Sequence, residues 1–404
     1  MHHTKNILRA FKNRTKKLLI NAAQLLPISS KYIGPPKGYY ASSREYWNIY
    51  KTSKSIDVTY TPFLSSSISQ RKPPQSISGK NHWKFDKEYI HRNPETFVIS
   101  AQNCRVIGDM GTVITHDDKL LFDVSQQMGI ARNVQKVKSH SVFKYLKLPK
   151  CRQIPQTVAV LATSGGGGYF HWFTDALPRL KILRQTFPWS IEYIDKFLVN
   201  KGIPAITESL GMLNIPLDKF LIIDSQTHIQ AKTFVIPSLP GNMGNPPSWA
   251  CEFLRENFLK HRAEINRIPK LYISRKKAKY RRVINEENVL SCLSNCGFTP
   301  VNLEDHRLAT QIALLSNAEV IVAPHGAGLT NLIWCNPGTK ILEFFSPNYV
   351  NVCFWTIANQ IGLEYFYLIG EGERPVEYFD PHLVCDDIHV SIEKLRLSLE
   401  MLFS

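Results

Sequence analysis

Three side chains in the segment SGGGGYFHWFTDALPRL stand four residues apart: His171, Asp175 and Arg179. On a helix that spacing brings neighbours onto one face. A carboxylate one turn from an imidazole orients the ring and raises its basicity, which suits proton abstraction from a hydroxyl. An ion-pair ladder on a helix surface would have the same spacing. Four glycines, Gly165 to Gly168, precede the helix and read as a flexible run that delivers its first turn to a binding region.

A second cluster has the chemistry of anion binding. In EVIVAPHGAGLTNLIW (319–334) an apolar strand ends at Pro324, a turn of small residues follows, and a helix starts near Leu329. Free N–H groups and the positive dipole end of such a helix suit a phosphate. In LYISRKKAKYRRVINEENV (271–289) a strand runs into Arg275, Lys276, Lys277, Lys279, Arg281 and Arg282, and then into a helix. Arginines so placed can clamp a diphosphate in bidentate fashion. Glu343 ends the apolar run of KILEFF and could accept hydrogen bonds from ribose hydroxyls, or pair with a nearby cation.

The order of these motifs, G-x-x-HW-x-x-D-x-x-PR, then SR…RR-x-x-NE, then HGAGLTN, then a strand with Glu, resembles glycosyltransferase family 61 over about residues 95–375. The nearest likeness is to its bacterial members associated with capsular polysaccharide synthesis. The resemblance implies an α/β fold of GT-B type, two Rossmann-like domains facing a cleft, and inverting, metal-independent transfer from a nucleotide sugar, UDP-linked in the expected form. It assigns Arg275, Arg281, Arg282, Asn285, Glu286, His325, Gly326, Ala327, Gly328, Leu329, Asn331 and Glu343 to substrate binding on the nucleotide side. His171 and Asp175 are the catalytic candidates on the acceptor side, with Arg179 binding substrate beside them. Whether His171 or Asp175 is the base stays open; the pair acting together is the favoured reading. No cofactor and no metal are expected. The partners are a nucleotide-sugar donor and a glycan acceptor.

Positioning these residues takes two α/β units. The chain has 404 residues, 44% of them hydrophobic, enough for two cores. Strand-like runs from about 95, the first of them antiparallel in appearance, give way to strand–helix alternation after 190. A Pro- and Gly-rich stretch at 237–250 marks the boundary. The expected organisation is a basic amphipathic helix over 1–30, an irregular wrap over 31–94, an acceptor-side domain over 95–248, a nucleotide-sugar domain over 249–388 and a closing helix over 389–404.

Net charge is +16, and the first 44 residues hold nine Lys and Arg with no Asp or Glu. A basic amphipathic helix there fits reversible contact with an anionic membrane. Eight scattered cysteines without a CxxC pair argue for reduced thiols and against zinc. No apolar run has the length of a membrane span, and no signal-peptide pattern is present. The expected location is cytoplasmic, peripheral on the inner face of the plasma membrane. Competing readings are a non-catalytic nucleotide-sugar-binding protein, an epimerase, which lacks its TyrxxxLys pair, and a nucleic-acid-binding protein, which lacks a recognisable motif.

Overall fold

The computed structural model describes residues 2–130, 133–186, 190–372 and 385–404. The chain forms two compact units. The first comprises residues 1–65, 94–203 and 215–243; the second comprises 66–93, 204–214 and 244–404.

In the first unit the runs anticipated as strands build a mixed ten-stranded sheet. Its parallel half has the spatial order Phe220–Ile223, Lys196–Asn200, Arg152–Val160, His228–Pro237. In chain order that is 3-2-1-4, so the direction of winding reverses between Arg152–Val160 and His228–Pro237. Ligands of open α/β sheets bind beyond the strand ends at such a switch point. The other half, including Thr96–Gln102, Arg105–Ile107 and Thr112–Ile114, is antiparallel except at its edge, where Gly38–Tyr40 pairs Lys119–Leu121 in parallel. The unit is thus only half Rossmann-like. Its core is an alternating set of inward apolar residues such as Ile99, Val106, Val158, Leu198 and Phe234.

The second unit holds an all-parallel sheet. Its strands are β1 (Lys270–Ile273), β2 (Thr299–Val301), β3 (Val320–Pro324), β4 (Lys340–Phe345) and β5 (Glu364–Ile369). Their spatial order is 2-1-3-4-5, every pair parallel. All residues of β3 are buried, as expected for a strand covered on both faces. The switch point lies between β1 and β3. Arg275 follows the first of these strands and Gly326 the second, so this topology brings the two sequence motifs together.

The segment 31–94 is more than a wrap. It adds Val58–Leu64 to the first sheet, antiparallel to Thr96–Gln102. It also gives the second unit a hairpin, Ser67–Gln70 with Ile90–Asn93, and a short helix, Trp83–Lys87. Phe85 on that helix is buried against Trp355 and Tyr367. The closing helix is Ile392–Phe403, and the N-terminal helix is His2–Leu25. Among the described residues no helix is long and apolar enough to cross a membrane.

Candidate active site

In the first unit the chain leaves Arg152–Val160 at the switch point and enters the glycine run. This run is tightly packed, which corrects the expectation of a flexible one. Gly165 has φ +77°, and a Cβ there would lie 2.7 Å from the ring of His171. A Cβ on Gly166 would overlap the side chain of Asn200, and one on Gly167 the carbonyl of Lys201. The glycines are there because strand, loop and helix approach closely. They hold the first helical turn, Tyr169–His171, against the strand ends.

The helix then forms a π turn over Trp172–Ala176, a local widening common at functional sites. His171 Nδ1 bonds Asp175 Oδ2 at 2.6 Å. Asp175 is 1% exposed, while the His171 side chain keeps 21% of its surface. With the ring proton on Nδ1 facing the carboxylate, Nε2 presents a lone pair. The predicted catalytic pair therefore meets in the geometry of an oriented base.

Arg179 does not join it, and its assignment to substrate binding is corrected. It is 0% exposed. Its guanidinium donates to the Pro237 carbonyl, and through Nη1 to the Ala162 carbonyl at 3.0 Å. Those carbonyls stand at the ends of the two strands flanking the switch point. Burial pushes its pKa down to about 9. Arg179 is a clamp on the scaffold.

In the second unit, Gly326 is the contact between the two anion-binding motifs. A Cβ at Gly326 would overlap the Arg275 guanidinium, which lies directly over that glycine. Arg275 Nη2 donates to the Tyr280 carbonyl at 3.2 Å, while its buried Nε has no partner among the described residues. Arg281 holds a left-handed backbone, φ +56°, a strain that persists where the surroundings enforce it. Its guanidinium sits 5.1 Å from the Tyr349 ring. Burial lowers the pKa of Arg275, and Arg281 lowers it further. Lys84, from the helix Trp83–Lys87, bonds the Val350 carbonyl at 2.7 Å and is also lowered by burial.

His325 lies among these groups, 3% exposed. Burial, then Arg281, Arg275 and Lys84, hold its pKa well below the ordinary value. Its Nδ1 meets Glu343 Oε1, and Tyr365 donates its hydroxyl to Glu343 Oε2. Glu343 is 0% exposed, and burial raises its pKa well above the usual carboxylate range. Both groups are thus favoured in their neutral forms. Tyr365 engages Oε2 and His325 Nδ1 engages Oε1, so both carboxyl oxygens are taken and the Nε2 of the ring is left outside the pair. Glu343, with both oxygens taken inside the core, is therefore corrected from a ribose acceptor to a buried partner of His325 and Tyr365. Glu343→Gln, which keeps a neutral donor and acceptor, is expected to melt near wild type. Glu343→Leu strands two buried polar groups, and a loss of roughly 2–4 kcal/mol is expected by denaturant unfolding. Equal stability of the two variants would remove this role.

Other predicted residues form the frame. Asn285 is paired through its amide with the backbone of Val390, at 2.8 and 3.0 Å. Glu286 accepts from Tyr272 and Ser274, at 2.9 and 2.7 Å, locking the base of the Arg275 loop. Arg282 is exposed and paired with Asp387 at 2.7 Å. Leu329 is core, and Asn331 bonds Gln311, the Gly328 carbonyl and Trp334. Ala327 is exposed and Gly328 half-buried at the turn. The segment after Gly326, Ala327–Trp334, is a 3₁₀ helix that opens two residues before the expected start. Lys84 and Tyr349, which converge on His325, were absent from the sequence reading; only the basic, aromatic HWKFDK segment hinted at the first. Among the described residues no group of three or more His, Cys, Asp or Glu is placed to hold a metal ion, and the eight cysteines are free thiols.

Residues 169–342, which include His171, Asp175, Arg275, Arg281 and His325, match the family model Glycosyltransferase 61. A β-1,2-xylosyltransferase of Arabidopsis thaliana is 35% identical over 97 residues, covering 21% of this chain and 18% of that protein. An EGF domain-specific O-linked N-acetylglucosamine transferase of Drosophila melanogaster is 31% identical over 135 residues, covering 29% and 26%. A xylan glycosyltransferase of Arabidopsis thaliana is 24% identical over 254 residues, covering 54% and 51%. The chain spans about a fifth to a quarter of the length of the first two relatives. The matched segment, from the His171 helix into the first half of β4, is similar to glycosyltransferases.

Proposed function

We propose that this chain is a glycosyltransferase that moves a sugar from a nucleotide-sugar donor to a hydroxyl of a glycan or similar acceptor. The observation that carries the reading is the cluster of Arg275, Arg281, Lys84 and His325 around Gly326, at the switch point of a parallel sheet. Half-buried cations, with the Arg275 Nε–H unpartnered among the described residues, suit a diphosphate leaving group. His171 Nε2 takes the proton of the acceptor hydroxyl. The oxygen attacks the anomeric carbon while the bond to the diphosphate oxygen breaks. A single displacement of this kind inverts the anomeric centre, and the arginines receive the charge that a metal would otherwise neutralise. The division of labour is that of a GT-B enzyme, one unit for each substrate, with a UDP sugar as donor. A role in surface polysaccharide synthesis, at the inner face of the plasma membrane, completes the proposal. Exposed Leu18, Leu19 and Leu25 on the N-terminal helix support peripheral membrane contact.

The test is a melting-temperature screen of the full chain against nucleoside diphosphates and their sugars, in EDTA. A ligand at 100 times its Kd adds about 2.7 kcal/mol, an upward shift of roughly 5–10 °C for a unit of this size. Hits then enter a transfer assay with and without EDTA. No shift with any nucleotide would sink the reading. Binding without transfer would favour a non-catalytic protein, and turnover restored only by manganese or magnesium would end the metal-independent part.

A further inference from the structure

A cavity of about 830 Å³ lies in the first unit, between the N-terminal helix and the body. The helix is docked there by buried Ile20 and Ala23, by Gln24 Nε2 donating to the Pro36 carbonyl at 3.0 Å, and by the close fit of Gly34 against Ala23. The cavity is lined by Lys16, Lys17, Lys37, Lys119, Lys138 and Lys144, and among the described residues by no Asp or Glu. Among the described residues, Lys119 is the one whose charge is partly met, by Asp117 at 3.2 Å. Asn13, Asn21 and Gln24 add amide groups, and Tyr39 and Phe143 add half-buried rings.

We propose that this cavity binds an acidic oligosaccharide, a stretch of the acceptor glycan that carries carboxylate or other anionic groups. The proposal rests on the glycosyltransferase reading and names its acceptor class. Six lysines supply point charges for several anionic groups at once. The amides both donate and accept, as hydroxyl-rich ligands require. The rings offer apolar faces, and the volume suits an organic ligand of several hundred daltons rather than a lone phosphate. A lipid headgroup fits less well. At about 100° per residue, the exposed Leu18 and Leu25 lie roughly 140–160° around the helix from Ile20, which lines the cavity. A bilayer covering those leucines would meet the side of the helix away from Ile20 and Lys16.

The experiment is calorimetric titration of the full chain with a linear galacturonic acid trimer, the uncharged galactose trimer, and inorganic pyrophosphate. Phosphatidylcholine vesicles with and without phosphatidylglycerol form the last arm. The acidic trimer is expected to bind at least tenfold tighter than the neutral one, with an affinity that falls as salt rises. Lys138→Gln/Lys144→Gln, both on the body and exposed, is expected to weaken it at least tenfold and leave nucleoside diphosphate binding unchanged. Equal affinity for the two trimers, an unaffected double variant, pyrophosphate binding as tightly as the trimer, or lysine-dependent capture by anionic vesicles alone would each overturn the proposal. Lysine-dependent capture of the acidic trimer without transfer from any nucleotide sugar would retire the enzyme reading and leave this site standing.

Discussion

His171→Ala and Asp175→Asn are each expected to cut sugar transfer by about 10²–10⁴, the usual worth of general base catalysis, while nucleotide affinity and melting temperature stay near wild type. The bond from His171 Nδ1 to Asp175 is 2.6 Å, and Asp175 is buried. Removing the imidazole removes the acceptor of the hydroxyl proton. Asparagine at 175 keeps the shape but can donate its own N–H to Nδ1, which would move the ring proton to Nε2 and block the lone pair the reaction uses. The double variant is expected to lose little more than either single one, because the residues act as a unit. A purely structural pair predicts instead that activity falls in step with the folded fraction. Steady-state kinetics, calorimetry and thermal unfolding on the same preparations separate the two. A variant that binds nucleotide, melts normally and turns over near the wild-type rate ends the proposal for that residue. If only Asp175 proves essential, it is the base and His171 positions it.

The reach of sequence reasoning here follows from what is local in the chain. The spacing of His171 and Asp175, the strand ending at Pro324 and the glycines after it are properties of short segments, and each is found where the residues imply. Arg179 was misread because its position was counted on an α-helix. The π turn over Trp172–Ala176 closes through a bond from Leu177 N–H to the Trp172 carbonyl, one residue further than an α turn. The chain then turns at Leu177–Pro178 before the helix resumes at Arg179, so the count along one regular helix does not carry through, and the guanidinium ends in the core on the Ala162 and Pro237 carbonyls. The partners of Glu343 were invisible for another reason. Tyr365 reaches it from the adjacent strand β5, and no spacing along the chain encodes that meeting. Lys84 is more distant still: its segment shows no periodicity, and only the packing of Phe85 against Trp355 and Tyr367 places it in the second unit.

Gly326→Ala is expected to weaken binding of a nucleoside diphosphate about as much as Arg275→Ala does, by roughly 1.5–3 kcal/mol, the scale of charge-assisted hydrogen bonds. Gly326 has φ 175°, extended backbone that alanine adopts freely, so the added methyl costs nothing in conformation. Its cost is space, because the methyl would occupy the place of the Arg275 guanidinium. The arginine is long and flexible and can swing away, so melting temperature is expected to hold while the anion loses its clamp. The double variant discriminates. Once Arg275 is alanine the three atoms nearest the methyl at 326 are gone, and the combined loss is expected to match that of Arg275→Ala alone, a strong departure from additivity. Arg275→Lys, with a single point charge in place of the planar fork, is expected to recover only part of the affinity. Calorimetry with the free diphosphate reads all four variants. Wild-type affinity in Gly326→Ala, or losses that simply add in the double variant, would show that the glycine turn and the arginine do not share a ligand.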